Sequence, residues 1–165
     1  MRCPVLRGAI ATCPGGHYTG QSWKTKLTAT RRHRGELTSS KTLALEAVQA
    51  AFTKNAYEPV LLDVSTLSSY TDFILILSGR SVRQVEAVAE AIQKEMKTAG
   101  HDAMGVEGER GGQWYLLDFG DVVVHVFYHP VREFYDLEGL WSEALKIELE
   151  VPPELRVAQM AYSTA

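Results

Sequence analysis

The chain has 165 residues, 45% of them hydrophobic and 22% charged, the balance of one ordinary soluble globular domain with room for a tail. No apolar run approaches the ~20 residues that a membrane helix needs. Residues 1–40 hold seven Lys/Arg against one acid, Glu36, whereas the rest holds ten against nineteen, a net of −9. Such an acidic body repels a phosphate backbone, which excludes autonomous nucleic-acid binding as the first expectation and favours a basic protein partner.

Taken in chain order, residues 1–40 scatter Gly, Ser and Thr around the basic cluster Arg31-Arg32-His33-Arg34, with few aliphatics and no sustained period. They read as a mostly disordered basic extension. Low acid content with Arg, Ser and Thr also resembles an organellar transit peptide, although no amphipathic helix is evident. Cys3, Cys13 and His17 match no structural zinc spacing, so no metal site is expected there. With both cysteines in this region, a core formed after residue 40 holds without disulfides, which suits a reducing compartment.

Order is expected from Ser40, as an N-cap, through a helix with Leu45, Val48 and Phe52 on one face to about Ala56. Pro59 separates that helix from a strand at Val60–Val64, and Phe73–Leu77 forms a second. Both are nearly continuous apolar runs, the pattern of central strands covered on two sides. Eight residues between them are too few for a parallel crossover, so the pair is antiparallel. Ser81 and Gln84 then form a capping-box pattern, followed by Val85, Val88, Ala89, Ile92 and Met96 on one helical face and a natural stop at Gly100. A short strand near Ala103–Val106, parallel to its predecessor, leads into a Gly-rich acidic loop, Gly105 to Gly112. Strands Trp114–Phe119 and Val122–Tyr128 flank Gly120-Asp121, a pair suited to a tight primed hairpin. The sum is an α/β (α+β) domain over residues 41–146, a mixed sheet of about five strands flanked by helices, with a tail over 147–165.

Catalytic chemistry finds little support. The glycines at 105, 108, 111 and 112 lack Walker or dinucleotide spacing, and Glu107 and Glu109 oppose phosphate. Gly79-Arg80-Ser81 at a strand-to-helix turn looks like the Gly-Ser element of nucleotidyltransferases. Those enzymes carry two Asp two apart on a strand to hold metal ions; here Asp118 and Asp121 straddle a turn instead. His125 and His129 lack the shared helical face of a metal pair, and His125 reads as a hydrogen-bonded structural histidine. Ser78, His125 and Asp118 make a triad only on paper, without a nucleophile elbow. Period two leaves Trp114, Leu116 and Asp118 opposite Tyr115, Leu117 and Phe119, so Trp114 is either second-face core or the anchor of a mixed apolar-polar binding patch.

From Leu43 to Trp141 the chain resembles the iojap family, the ribosomal silencing factors. The resemblance rests on LDVS at 62–65, TDFILILSG at 71–79, SVRQVEAVAEAI at 81–92, VEGE at 106–109, WYLLDFGDVVVHVF at 114–127 and VREFYDLEGLW at 131–141. It implies a nucleotidyltransferase-like topology without the catalytic acids, and therefore a binding protein with no cofactor rather than an enzyme. It further implies a partner, ribosomal protein fourteen of the large subunit, steric blocking of subunit joining, repression of translation in the cytoplasm, and a homodimer. Organellar relatives serving large-subunit assembly keep a mitochondrial or plastid setting open. Carried over position by position, the partner surface falls on Trp114, Asp118 and Asp121, with Arg132 and Tyr135 nearby. Gly79 and Gly120 serve the backbone, and Leu137, Leu140 and Trp141 close the core.

Overall fold

The computed structural model describes residues 37–108 and 111–160, with side chains from Ser40 to Arg156 within those limits. The basic extension before residue 37, its Cys3–Cys13–His17 set, residues 109–110 and the last five residues lie outside them. Eleven elements follow in order: α1 (Leu37–Phe52), β1 (Tyr57–Asp63), β2 (Phe73–Gly79), α2 (Val82–Thr98), β3 (Gly105–Gly108), β4 (Trp114–Asp118), β5 (Val122–Tyr128), α3 (His129–Tyr135), α4 (Leu137–Leu140), β6 (Leu145–Ile147) and α5 (Pro153–Met160).

The strands form one mixed sheet in the order β3-β4-β5-β2-β1-β6. β1 and β2 are antiparallel as expected. The parallel partner of β2 is β5, in register from Phe73 opposite Val122 to Gly79 opposite Tyr128. These two central strands are buried on both sides, which is why each is a near-continuous apolar run. β3 points the same way as β2 but stands at the far edge, paired antiparallel to β4. The expected loop from Gly105 is thus a strand through Gly108, and Glu107 is part of it.

α2 forms as its sequence dictates. The Ser81 hydroxyl accepts from the Gln84 N–H, and Val85, Val88, Ala89, Ile92 and Met96 are the buried face. Half of the capping box is diverted. Gln84 accepts the N–H of Arg80 and donates to the carbonyls of Lys54 and Asn55, which ties the helix start to the turn after α1. At Gly79 an added Cβ would meet Val85 at 2.8 Å, so glycine there lets β2 run closely beneath the helix.

Three expectations about α1 and β1 need correction. Ser40 lies inside α1 rather than capping it; buried, it donates to the Asp72 carboxylate at 3.0 Å. Leu45 is 38% exposed, because the inward face runs through Leu43, Ala44, Ala47, Val48 and Ala51. Pro59 sits within β1, at a register break between Tyr57 and Val60 where Glu58 adopts a positive φ of 48°. A bulge needs no ladder N–H from that residue, so proline is accommodated.

Two cores result. The larger lies between α1, α2 and one sheet face, centred on Leu75, Leu77, Val88, Ile92, Leu117, Val124 and Val126. Ile147, Leu149, Val151 and buried Leu155 join it, so packing extends past the limit expected at residue 146 and adds β6 as a sixth strand, antiparallel to β1. The smaller core, on the opposite face, gathers Leu62, Val64, Ile74, Ile76 and Phe127 under Val131, Leu137 and Trp141. Leu140 does not close it: that side chain is 73% exposed.

Candidate partner-docking surface

Cross-strand register decides what the smaller-core face presents. Trp114 lies opposite Phe127, Leu116 opposite His125, Asp118 opposite Val123, and Glu107 of β3 opposite Leu116. Opposed residues share a face. Trp114, Leu116 and Asp118 therefore project to the side away from α1 and α2, as period two requires. α3 packs chiefly over β5 and β2 and reaches β4 through Tyr135, which meets Trp114. Aromatic rings take the place of a helix there. The Trp114 ring stacks on Phe127 at 5.0 Å and 21° and meets Tyr135 at 4.9 Å, and Phe134 meets Tyr135 edge-on at 5.3 Å. Trp114 is half-buried, Tyr135 is 42% exposed and Phe134 is 81% exposed. Trp114 thus packs against the smaller core and remains partly accessible.

At the other end of the hairpin stands a polar rim. Gly120 has φ +84°, Phe119 and Val122 close the two-residue turn, and only Gly120 in that turn is left-handed, the sign pattern of a type II′ turn. The Asp118 carboxylate accepts the Gly120 N–H at 2.8 Å and the hydroxyl of Tyr70. That hydroxyl, bonded to a carboxylate, has its pKa pushed up to about 12, chiefly by this hydrogen bond. The Asp121 carbonyl accepts from the N–H groups of Asp72 and Phe73 and from the Thr71 hydroxyl, all within 3.0 Å. Its carboxylate makes no hydrogen bond or ion pair among the described residues.

Arg132 differs from the other four candidates, since its guanidinium points inward and the residue is 9% exposed. It donates to the Ser78 hydroxyl and the Glu58 carbonyl, each at 2.7 Å, and to Glu138 at 3.0 Å through Nε. Every part of the fork is engaged, so this side chain braces α3 and α4 against β1 and β2 instead of facing a partner. Beside it a cleft of about 480 Å³ is lined by Glu58, His129, Glu133 and Glu138 among others. Among the described residues no group of three or more His, Cys, Asp or Glu side chains is placed to hold a metal ion.

Tyr70 and Phe134 lie outside the sequence expectations, and His125 is expected only as a structural histidine. Tyr70 reaches Asp118 across 48 positions, a pairing that no local pattern announces. Phe134 stands beside Tyr135, and two adjacent aromatics after a buried strand are a usable signal. His125 accepts the indole N–H of Trp114 at 3.2 Å, and burial lowers its pKa to about 4. The expectation of a hydrogen-bonded structural histidine identified its bonding but not its place beneath Trp114.

Comparison with known proteins gives a consistent answer. Residues 37–165 match the sequence profile of RsfS, described as ribosomal silencing factor during starvation. The ribosomal silencing factor RsfS of Chromobacterium violaceum is 44% identical over 100 residues, 61% of this chain and 80% of that one. The Halalkalibacterium halodurans protein of the same name is 40% identical over 112 residues, 68% and 96% of the two chains. A crystal structure of a Chromobacterium violaceum protein superposes with a TM-score of 0.61 at 38% identity, covering 68% of this chain and 92% of that one. More distant are the chloroplastic iojap protein of Arabidopsis thaliana, 35% identical, and the mouse mitochondrial assembly of ribosomal large subunit protein 1, 32% identical. These alignments cover 64% and 54% of this chain, and 44% and 40% of those longer proteins. With the profile spanning most of its length and a solved relative superposing on its fold, the chain belongs to the RsfS family of ribosomal silencing factors.

Proposed function

We propose that this protein binds the large ribosomal subunit through ribosomal protein fourteen, excludes the small subunit sterically, and thereby represses translation. The observation that carries the reading is the uncovered half of the sheet face. There Trp114, stacked on Phe127 and meeting Tyr135 at a tilt, forms an aromatic platform at one end of the hairpin, and Asp118 and Asp121 form an acidic rim at the other. A desolvated aromatic centre with a charged border is the composition of a protein-binding patch, and large rings are the usual anchors. The body around it is acidic, at −9, which complements a basic ribosomal protein and repels free RNA. Arg132 enters as the internal brace that holds α3, and with it Tyr135, over the hairpin.

No reaction is required, because occupying the joining face is sufficient. The relatives are named as regulatory factors rather than enzymes, and nucleotidyl transfer would need the paired strand carboxylates that Asp118 and Asp121 do not form across the turn. Added to separated subunits, the protein is expected to remain on the large subunit and to reduce whole-ribosome formation. Unchanged joining defeats the proposal. Trp114→Ala is expected to weaken large-subunit binding by ~2 kcal/mol with the fold retained. Sedimentation of the free chain tests whether a homodimer forms, as the resemblance implies.

The setting is proposed to be the cytoplasm, by likeness to the bacterial RsfS proteins. No helix among the described residues is long and apolar enough to cross a membrane. A second reading, a large-subunit assembly factor in an organelle, is favoured by the basic first forty residues and the mitochondrial and chloroplastic relatives. Import of residues 1–40 fused to a reporter separates the two settings.

A further inference from the structure

The run Val122–Phe127 is apolar except at one position, His125, which is 9% exposed in the middle of a buried strand. A valine or leucine there would satisfy the core without the cost of desolvating an imidazole. What the histidine adds is a bond. Its Nδ1 accepts the Trp114 Nε1–H at 3.2 Å, while its ring lies nearly parallel to Phe127, with centroids 6.0 Å apart and planes at 11°. The Trp114 ring is thereby fixed in two ways, by stacking on Phe127 and by a directed hydrogen bond to the neighbour of Phe127 on the same strand face.

We infer that His125 is the positioning residue of the docking face: it consumes the only hydrogen-bond donor of the Trp114 side chain, so that the indole offers a partner carbon alone. This rests on the docking-face reading of the hairpin. An indole with a free N–H selects an acceptor on its partner and carries a water when unbound. With the N–H satisfied internally, the ring favours an aliphatic or aromatic side chain and a dry contact, which confines the polar part of recognition to the rim at Asp118 and Asp121. The direction of the bond requires Nδ1 to be unprotonated, and burial holds the imidazole neutral with a pKa of about 4, far below the working range of a cell.

The test uses the full chain and purified large subunits. His125→Leu removes the acceptor at similar volume, and His125→Asn restores one near the Nδ1 position. The Trp114 indole proton is assigned by its disappearance in Trp114→Phe. In His125→Leu we expect this proton to shift and to exchange faster with solvent, and subunit binding to fall about tenfold. His125→Asn is expected to return both signals towards the parent. On a Trp114→Ala background His125→Leu should cost nothing further, because the histidine acts only through the indole. A tenfold loss that persists on that background, or parent-like binding by His125→Leu while Trp114→Ala binds weakly, overturns the inference and leaves the docking face standing. Parent-like binding by Trp114→Ala overturns the docking face itself and any docking role for His125 with it.

Discussion

The two faces of one sheet have met opposite fates. On the α1–α2 side, Leu75, Leu77, Leu117, Val124 and Val126 are sealed beneath two long helices, and α2 contributes Val88 and Ile92 with no exposed surface. On the other side, α3 and α4 together span only eleven residues, and α3 meets β4 through Tyr135 on Trp114. Alternate residues of the same hairpin thus serve different ends. Tyr115, Leu117 and Phe119 stabilise the domain from one face, and Trp114, Leu116 and Asp118 lie half-buried on the face where docking is proposed. A complete helical cover on the second side would have made the protein more stable and removed the surface on which its binding is proposed to depend.

That division is open to attack from both sides. The largest effect is expected from Arg132→Ala, which strands Glu138 and Ser78 without their donor and should cost about 4 kcal/mol in denaturant unfolding. A cost below ~1 kcal/mol would show that the brace is dispensable and return Arg132 to the list of partner contacts. Ile92→Ala on the sealed face should cost roughly 3 kcal/mol through lost burial and a cavity, yet leave large-subunit affinity unchanged under folding conditions. If affinity falls in step with stability, the faces are not separable.

The third prediction concerns acid. His125 has a folded pKa of about 4, below the ordinary 6.5 of the unfolded chain, so the unfolded state binds the proton more readily between these values. Its contribution is complete above pH 6.5, declines as pH falls towards 4, and should amount to about 2 kcal/mol lost by pH 5. His125→Asn should remove this part of the profile, and an identical slope in the variant would show that other groups cause it. The smallest effect is expected from Asp121→Asn, under ~1 kcal/mol in affinity and seen mainly as a slower on-rate at low salt. A large loss of affinity would mean the rim, not the aromatic platform, carries recognition.

Where a segment's environment is local, its sequence was readable. α2 declares its cap at Ser81, its buried stripe and its stop at Gly100, and the hairpin declares its turn at Gly120-Asp121. The β2–β5 pairing was not legible, because two continuous apolar strands specify neither neighbour nor register. β6 is too short, at three residues, to show a period. In the candidate site, Trp114 and Tyr135 do meet, and Asp118 and Asp121 do border one turn. The sequence gives no sign of Arg132's burial because two of its partners, Ser78 and Glu58, lie 54 and 74 positions away. Long-range polar bonds of this kind leave no trace in composition or spacing.

The triple anchorage of the Asp121 carbonyl has a consequence for energetics of encounter. Three donors from Thr71, Asp72 and Phe73 hold the hairpin tip against the segment that also carries Tyr70, and Ser40 holds Asp72 from α1. Loop ordering at an interface ordinarily subtracts from affinity. Here the conformational entropy of the tip was surrendered during folding, so a modest contact area can yield a serviceable affinity. The tip should also show little change in amide-exchange protection between free and subunit-bound protein.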